Sequence, residues 1–338
     1  MAPIFPLTLA GCPNPAGDGS IHSPGRGSSA GTSWKKVRDR ASDGHFNAVA
    51  FGSGNFVAVA TDTAAYSTDG VHWTRADLSG IFSGYDPAAH WIHAIVYGGG
   101  TFIAGGSGGK AAYSADGVHW TAVDLSGIFS DIYCIAHGGA GDDGMFIAGG
   151  SGGKAAYSAD GVHWTAVDLS GIFSGIYSIA HGGASGDGTF VAVGSDGSRG
   201  ATAYSADKGE TWTAAPGGTF GSAAYNSIDR VAYGNGKFVA LDWLGNVGTS
   251  PDGVHWSPQA VPDGVISIAV WYEKALGFAN GKFTAGGYNG ILSTSPDGIH
   301  WTPAPISGFT PGCGIAGIAC GNNTLVAVGG DGIAYAAK

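Results

Sequence analysis

A carboxylate and an imidazole recur together along this chain, and together they could serve acid–base catalysis or metal binding. They sit in one short phrase, Tyr/Thr-Ser-x-Asp-Gly-Val/Ile-His-Trp, at Tyr66–Trp73, Tyr113–Trp120, Tyr157–Trp164, Thr249–Trp256 and Thr294–Trp301. A variant runs from Tyr204 to Trp212. Spacing decides against a shared centre. The tryptophans at 73, 120, 164, 212, 256 and 301 are 47, 44, 48, 44 and 45 residues apart. A fixed period of this length marks a repeat architecture, so each Asp/His pair belongs to a different structural unit. The Asp and Gly are then turn residues, the Trp is an anchor, and the His is a passenger.

Other chemical groups sit where the repeats disagree. Near the start of the first strand of each unit, one position carries Asn47, His93, Tyr133, Tyr177, Asp229, Lys274 and Ala316 in turn. Arg230 follows where other units have small residues, and Glu273 is the alternative to Lys274 in the sixth unit. Seven tryptophans are anchors; Trp91, Trp243 and Trp271 are not, and they map to the same end of the repeats. Aromatic rings beside carboxylates and Arg suit a carbohydrate, since rings stack on apolar sugar faces and polar groups fix hydroxyls. The candidate ligand-binding set is therefore Trp91, His93, Tyr133, Tyr177, Asp229, Arg230, Trp243, Trp271 and Glu273. No catalytic residue can be named.

The elements that must position these groups are short strands. In the third copy, Ile132–His137, Met145–Gly149, Lys154–Ser158 and His163–Val167 read as four strands separated by Gly and Asp turns. Four short strands per unit of about 44 residues make a propeller blade. After Trp301 the chain offers only three strands. Ser28–Trp34 aligns with Ser67–Trp73, with Ala30 in place of the Asp, so residues from Trp34 onward are expected to complete the last blade. The expected fold is all-β: a seven-bladed β-propeller of four-stranded antiparallel blades, closed by the N-terminal strand. Residues 1–27 form a tail and 28–338 the propeller. Phe102–Ser130 is identical to Phe146–Ser174, the mark of a copied blade.

The phrase resembles the Asp-box of BNR-type propellers, and Ser205-Ala206-Asp207-Lys208-Gly209-Glu210-Thr211-Trp212 matches that pattern outright. The resemblance spans about 300 residues and implies fold rather than activity, because such boxes occur in glycosidases, lectins, sorting receptors and assembly factors. The sialidases among them need three converging arginines. Of the six here, at most two, Arg230 and Arg199, map to the ligand end, so that activity is excluded.

Composition narrows the rest. With 63 glycines and only 12% charged residues the chain suits tight turns and close strands, without the strict Gly-X-Y period of collagen. A net charge of −10 disfavours nucleic acid. No apolar run is long enough to span a membrane. The cysteines Cys12, Cys134, Cys313 and Cys320 follow no metal or disulfide spacing. Leu9-Ala10-Gly11-Cys12 resembles a bacterial lipoprotein lipobox, which implies a lipid anchor at Cys12 and an extracytoplasmic location. No cofactor or metal is expected, and the chain reads as a monomer. The leading functional expectation is a lectin-like glycan-binding module with its site at the channel mouth. The alternatives are a polysaccharide-active enzyme, built on Asp229 with another acid or on His93 with Tyr133, and a protein-interaction scaffold.

Overall fold

A computed structural model describes residues 34–37, 44–82, 91–139, 143–183, 188–216, 226–259, 274–304, 306 and 313–337. These residues form seven four-stranded antiparallel sheets. Blade one is β2 (Ala48–Gly52), β3 (Asn55–Val59), β4 (Thr63–Ser67) and β5 (Thr74–Asp77). Blade two is β6 (Ile92–Gly98), β7 (Thr101–Gly106), β8 (Lys110–Ser114) and β9 (Thr121–Asp124). Blade three runs through β10 (Ile132–Gly138), β11 (Met145–Gly150), β12 (Lys154–Ser158) and β13 (Thr165–Asp168). Blades four and five follow as β14 (Gly175–Gly182) to β17 (Thr213–Ala214) and β18 (Ile228–Gly234), β19 (Lys237–Asp242), β20 (Val247–Ser250) and β21 (Ser257–Gln259). Blade six is β22 (Ala275–Ala279) to β25 (Thr302–Pro303), and blade seven has β26 (Ile315–Gly321), β27 (Thr324–Gly329) and β28 (Gly332–Ala337).

Blade seven takes its outer strand from the other end of the chain. β1 (Lys35–Lys36) pairs antiparallel with β28, in register Lys35 with Tyr335 and Lys36 with Ala334. Trp34, 4% exposed, packs among Leu292, Ile306, Ile315 and Ile318, and Lys36 pairs with Asp331 at 2.8 Å. The ring thus closes as the degraded copy at Trp34 predicts. Cys12 and the rest of the expected tail lie outside the described residues.

The repeated phrase builds one turn six times. In blade two Ser114 Oγ accepts the Gly117 amide at 2.8 Å and donates to Asp116 at 3.0 Å. Asp116 Oδ1 accepts the amides of Val118 and His119, both at 2.8 Å. Its other oxygen meets His119 Nδ1 at 2.8 Å. The histidine is therefore not a passenger, because it closes the bonding shell of the turn carboxylate. In the variant turn Thr211 does the same for Asp207 through its hydroxyl. Each indole then bonds back to the turn glycine, as Trp120 Nε1 does to Gly117 O at 3.2 Å. Because His163 and Trp164 belong to the turn, the fourth strand of blade three starts at Thr165 rather than at His163.

Blades meet through rings laid on glycine. His137 at the end of β10 lies over Gly98 of the preceding blade, where a Cβ would come within 2.0 Å of the imidazole. His181 covers Gly138 in the same way. Behind them the rings pack on Phe146 and Phe190 of their own blades, with centroids 4.6 Å apart in both. Burial, and then His181, lowers the His137 pKa, so this imidazole serves as a neutral aromatic ring.

Two outcomes test the fold. Removal of residues 1–27 leaves the melting midpoint unchanged, whereas removal through Arg38 lowers it sharply, because Trp34 and β1 go with it; calorimetry on both truncations reads the difference. The side-chain bond from His119, with the amide bonds behind it, holds Asp116 well below its ordinary 3.8, and His163 does the same for Asp160. A carboxyl with a depressed native pKa stabilises the fold fully above its ordinary value and loses that contribution as pH falls below it. The melting midpoint should therefore drop between about pH 4 and pH 2, and less steeply in an Asp116→Asn/Asp160→Asn variant.

Candidate functional site

In five of the seven blades the position that varies is a β-bulge. The register between the first two strands shifts around His93, Tyr133, Tyr177, Asp229 and Ala316. Asn47 and Lys274 immediately precede β2 and β22. A bulge leaves one residue out of the ladder and re-aims its side chain, which frees this position from the scaffold's demand for a small apolar residue.

Six of the seven side chains connect from blade to blade. Asn47 Nδ2 donates to Ile92 O at 2.9 Å. The His93 ring meets Tyr133 edge-on at 6.2 Å, and Tyr133 meets Tyr177 at 6.0 Å. Asp229 receives Lys274 Nζ at 2.5 Å and Ser227 Oγ at 2.5 Å. Sequence reasoning placed His93, Tyr133, Tyr177 and Asp229 together, and the structure brings them into one arc.

Burial gives that arc its chemistry. His93 is fully buried with Nε2 3.0 Å from Ser107 Oγ, and desolvation pushes its pKa down to about 3. It is a neutral imidazole at any physiological pH. Tyr133 is pushed up to about 12, by burial first and then by Asp131 and Tyr177. Tyr177 shifts the same way through burial and the Asp229 charge. A phenol raised in this manner is a poor base.

The far end of the arc is an ion cluster between blades five and six. Arg230, 3% exposed, bonds Lys274 O at 2.8 Å and Asp229 O at 2.6 Å. Burial lowers its pKa to about 10, against the opposing pull of Asp229 and Cys134, so it stays charged. Lys274 also donates to Trp243 O at 2.9 Å and lies 4.7 Å over the Trp243 ring. Burial lowers the Lys274 pKa and Asp229 holds it up. Asp242, fully buried in the same end of blade five, accepts Asn226 Nδ2 at 2.5 Å and Asn246 Nδ2 at 2.6 Å. Its pKa is raised by burial and restrained by those bonds. Asp229 and Asp242 thus balance Arg230 and Lys274.

Sequence reasoning missed Asp242, Asn226 and Ser227. Only the Asp-x-x-x-Asn spacing of Asp242 and Asn246, across a turn that departs from the other blades, signalled them. Trp91 lies away from the ion cluster and packs edge-on against His45 at 5.7 Å. Trp271 and Glu273 lie outside the described residues, and Lys274 is the sixth member of the arc. Among the described residues no group of three or more metal-ligating side chains converges, and no helix is long and apolar enough to cross a membrane.

These features define a seven-bladed propeller whose inner strands carry a buried, self-neutralising polar arc. No family model matches the chain, and no curated protein matches it. Solved structures do. Virginiamycin B lyase from Staphylococcus aureus, in an inactive form with quinupristin, aligns at TM-score 0.69 and 12% identity over 90% of this chain and 99% of its own. YCF48 from Cyanidioschyzon merolae aligns at TM-score 0.64 and 15% identity over 90% and 98% of the two chains, and YCF48 is also solved bound to D1 peptide. The WD40 propeller domain of Doa1 aligns at 0.62 and 11% over 90% and 95%. At these identities the likeness establishes the fold alone.

The ion cluster makes a stability prediction. Asp229→Ala strands Lys274 in the blade interface and should cost about 3–5 kcal/mol, the usual penalty for breaking a buried pair. Adding Lys274→Met should recover much of the loss. Urea unfolding of the two variants measures both.

Proposed function

We propose that this chain is a protein-binding propeller that takes a polypeptide segment on the face formed by the strand-two-to-strand-three turns of blades five and six. One observation carries the reading: the charged groups of the arc are bonded to one another, while large apolar side chains on these turns face solvent. Leu244 is 57% exposed and Tyr288 40%. They occupy the same turn of adjacent blades, and the partly buried Trp243 precedes Leu244. Exposed aromatic and aliphatic groups on loops held by a rigid sheet are what interface anchors are made of.

The arc itself supports a glycan or a catalytic centre less well. His93, Asp229 and Arg230 are at most 3% exposed, so they offer little to a sugar hydroxyl. One face of Trp243 is covered by Lys274. Asp229 already holds two strong donors, which leaves it poorly placed as a hydrolytic acid or base. Two of the similar folds point the same way: YCF48 has been solved with a bound peptide, and Doa1 carries a WD40 propeller.

The test is selection from a random-peptide display library, with a glycan array run beside it. Peptides enriched on the wild type should lose about tenfold or more in affinity for Leu244→Asp and Tyr288→Ala, worth about 1.4 kcal/mol per tenfold. Neither change should move the melting midpoint, since both side chains are exposed. Enrichment of no peptide, together with binding to a defined glycan, would replace this reading with the lectin one.

A further inference from the structure

One blade boundary lacks the ring–glycine contact that fastens the others. The first strands end in the pairs Phe51-Gly52, Tyr97-Gly98, His137-Gly138, His181-Gly182, Tyr233-Gly234, Phe278-Ala279 and Cys320-Gly321. Each ring in this series lies on the paired glycine of the blade before it. Between blades six and seven the pattern calls for a ring at 320 and a glycine at 279, and the chain has Cys320 and Ala279. The rings of blades one to six also pack on a phenylalanine of their own second strand. In blade seven the residue opposite Cys320 is Leu325.

Neighbouring groups follow the same division. Ala279 is half-buried, whereas Gly52, Gly98, Gly138, Gly182 and Gly234 are buried. Asn235 Nδ2 ties blade five to blade six, donating to Gly281 O at 3.0 Å and Pro296 O at 2.7 Å. Asn322 Nδ2 ties blade seven to blade one through Gly54 O at 3.2 Å and Thr68 O at 2.8 Å. At the boundary between them the corresponding Asn280 meets Cys320, with Sγ 3.7 Å from its Oδ1. A thiol is a weak donor. Blades six and seven are instead held by the backbone bridge of Tyr288 to Gly314, at the opposite end of β26, and by Trp34 packed among Leu292, Ile315 and Ile318. Trp34 arrives with β1, a strand of two residues from the other end of the chain.

We propose that the boundary of blades six and seven is a seam at which the native ring opens. Blade seven parts from blade six at the Cys320 end and stays seated on blade one through Phe51 and Asn322, with the Tyr288–Gly314 bridge as the hinge. Local openings lie below global unfolding in free energy and occur where packed contacts are fewest. The inference is independent of what the propeller binds.

Two native thiols read the opening. Cys320, 7% exposed, sits at the seam. Cys134 is fully buried at the boundary of blades three and four, with Sγ 3.7 Å from both Gly149 O and Ile176 O, and His181 on Gly138 locks that boundary. The folded protein is treated with N-ethylmaleimide, and peptide mass spectrometry follows each cysteine, with rates normalised to those in unfolding urea. Cys320 should react about tenfold or more faster than Cys134. Its rate should climb with sub-denaturing urea on a shallower slope than global unfolding, because a seam exposes less surface. Gly138→Ala/His181→Cys transplants the seam to blades three and four, and Cys134 should then acquire the faster rate and the shallow slope. Gly234→Ala/Phe278→Cys repeats the transplant between blades five and six, read on the introduced thiol, should the first variant fail to fold. The proposal is overturned if Cys320 reacts no faster than Cys134. It is also overturned if the Cys320 rate ignores urea, as static access would, or follows the slope of global unfolding, or if a folded transplant stays as closed as the wild type.

Discussion

The contact on which this architecture depends is a ring seated on a glycine across six of the seven blade boundaries. Phe51, Tyr97, His137, His181, Tyr233 and Phe278 end their first strands, and each covers a glycine of a neighbouring blade: Gly321, Gly52, Gly98, Gly138, Gly182 and Gly234. In every case a Cβ on the glycine would fall within 2.2 Å of the ring. The same ring packs on a phenylalanine of its own second strand at 4.6–4.9 Å. One side chain therefore sets both the spacing between blades and the packing within one. Close-packed interiors tolerate neither an added methyl at the glycine nor a cavity at the ring. The high glycine content is part of what makes this ring tight.

That constraint explains why variation collects at the other end of the inner strands. The ring end is locked at those six boundaries, and the turn end is locked by the Ser-x-Asp bonding shell. The bulge is the place where a side chain leaves the ladder, so its identity is free to change. Freedom did not yield an open site. The residues found there satisfy one another, with aromatic edges through blades two to four and an ion cluster at blades five and six. In a low-dielectric interior an unpaired member would be costly, which is why Asp229, Arg230, Lys274 and Asp242 come as a neutral set.

The fold was legible because its determinants are local and repeated. Ser, Asp, Gly and Trp at fixed offsets encode a turn and its anchor, and even the degraded copy at Trp34 kept the tryptophan that seats β1. The bulge position was legible as a column of disagreement, although disagreement alone says nothing about burial. Lys274 pairs with Asp229 from 45 residues away across a blade boundary, and no local pattern encodes that. The turn histidine was misread for a related reason. Its spacing showed that the five imidazoles belong to separate blades, but not that each completes the shell of its own aspartate.

Repetition also bears on where a ligand can act. A copied blade reproduces whatever its scaffold positions do, so residues shared by all blades are explained by packing. Leu244, Tyr288 and the arc fail that test of sameness. Among these the arc is the least available, since its charged groups are already paired and burial has moved its imidazole and phenols away from useful proton transfer. The exposed turns keep their side chains in water while resting on sheets that cannot shift without disturbing a ring–glycine contact. A rigid frame presenting unmatched side chains loses little conformational entropy on binding. On the proposed reading, recognition sits at the irregular rim and the inner arc is its structural plug.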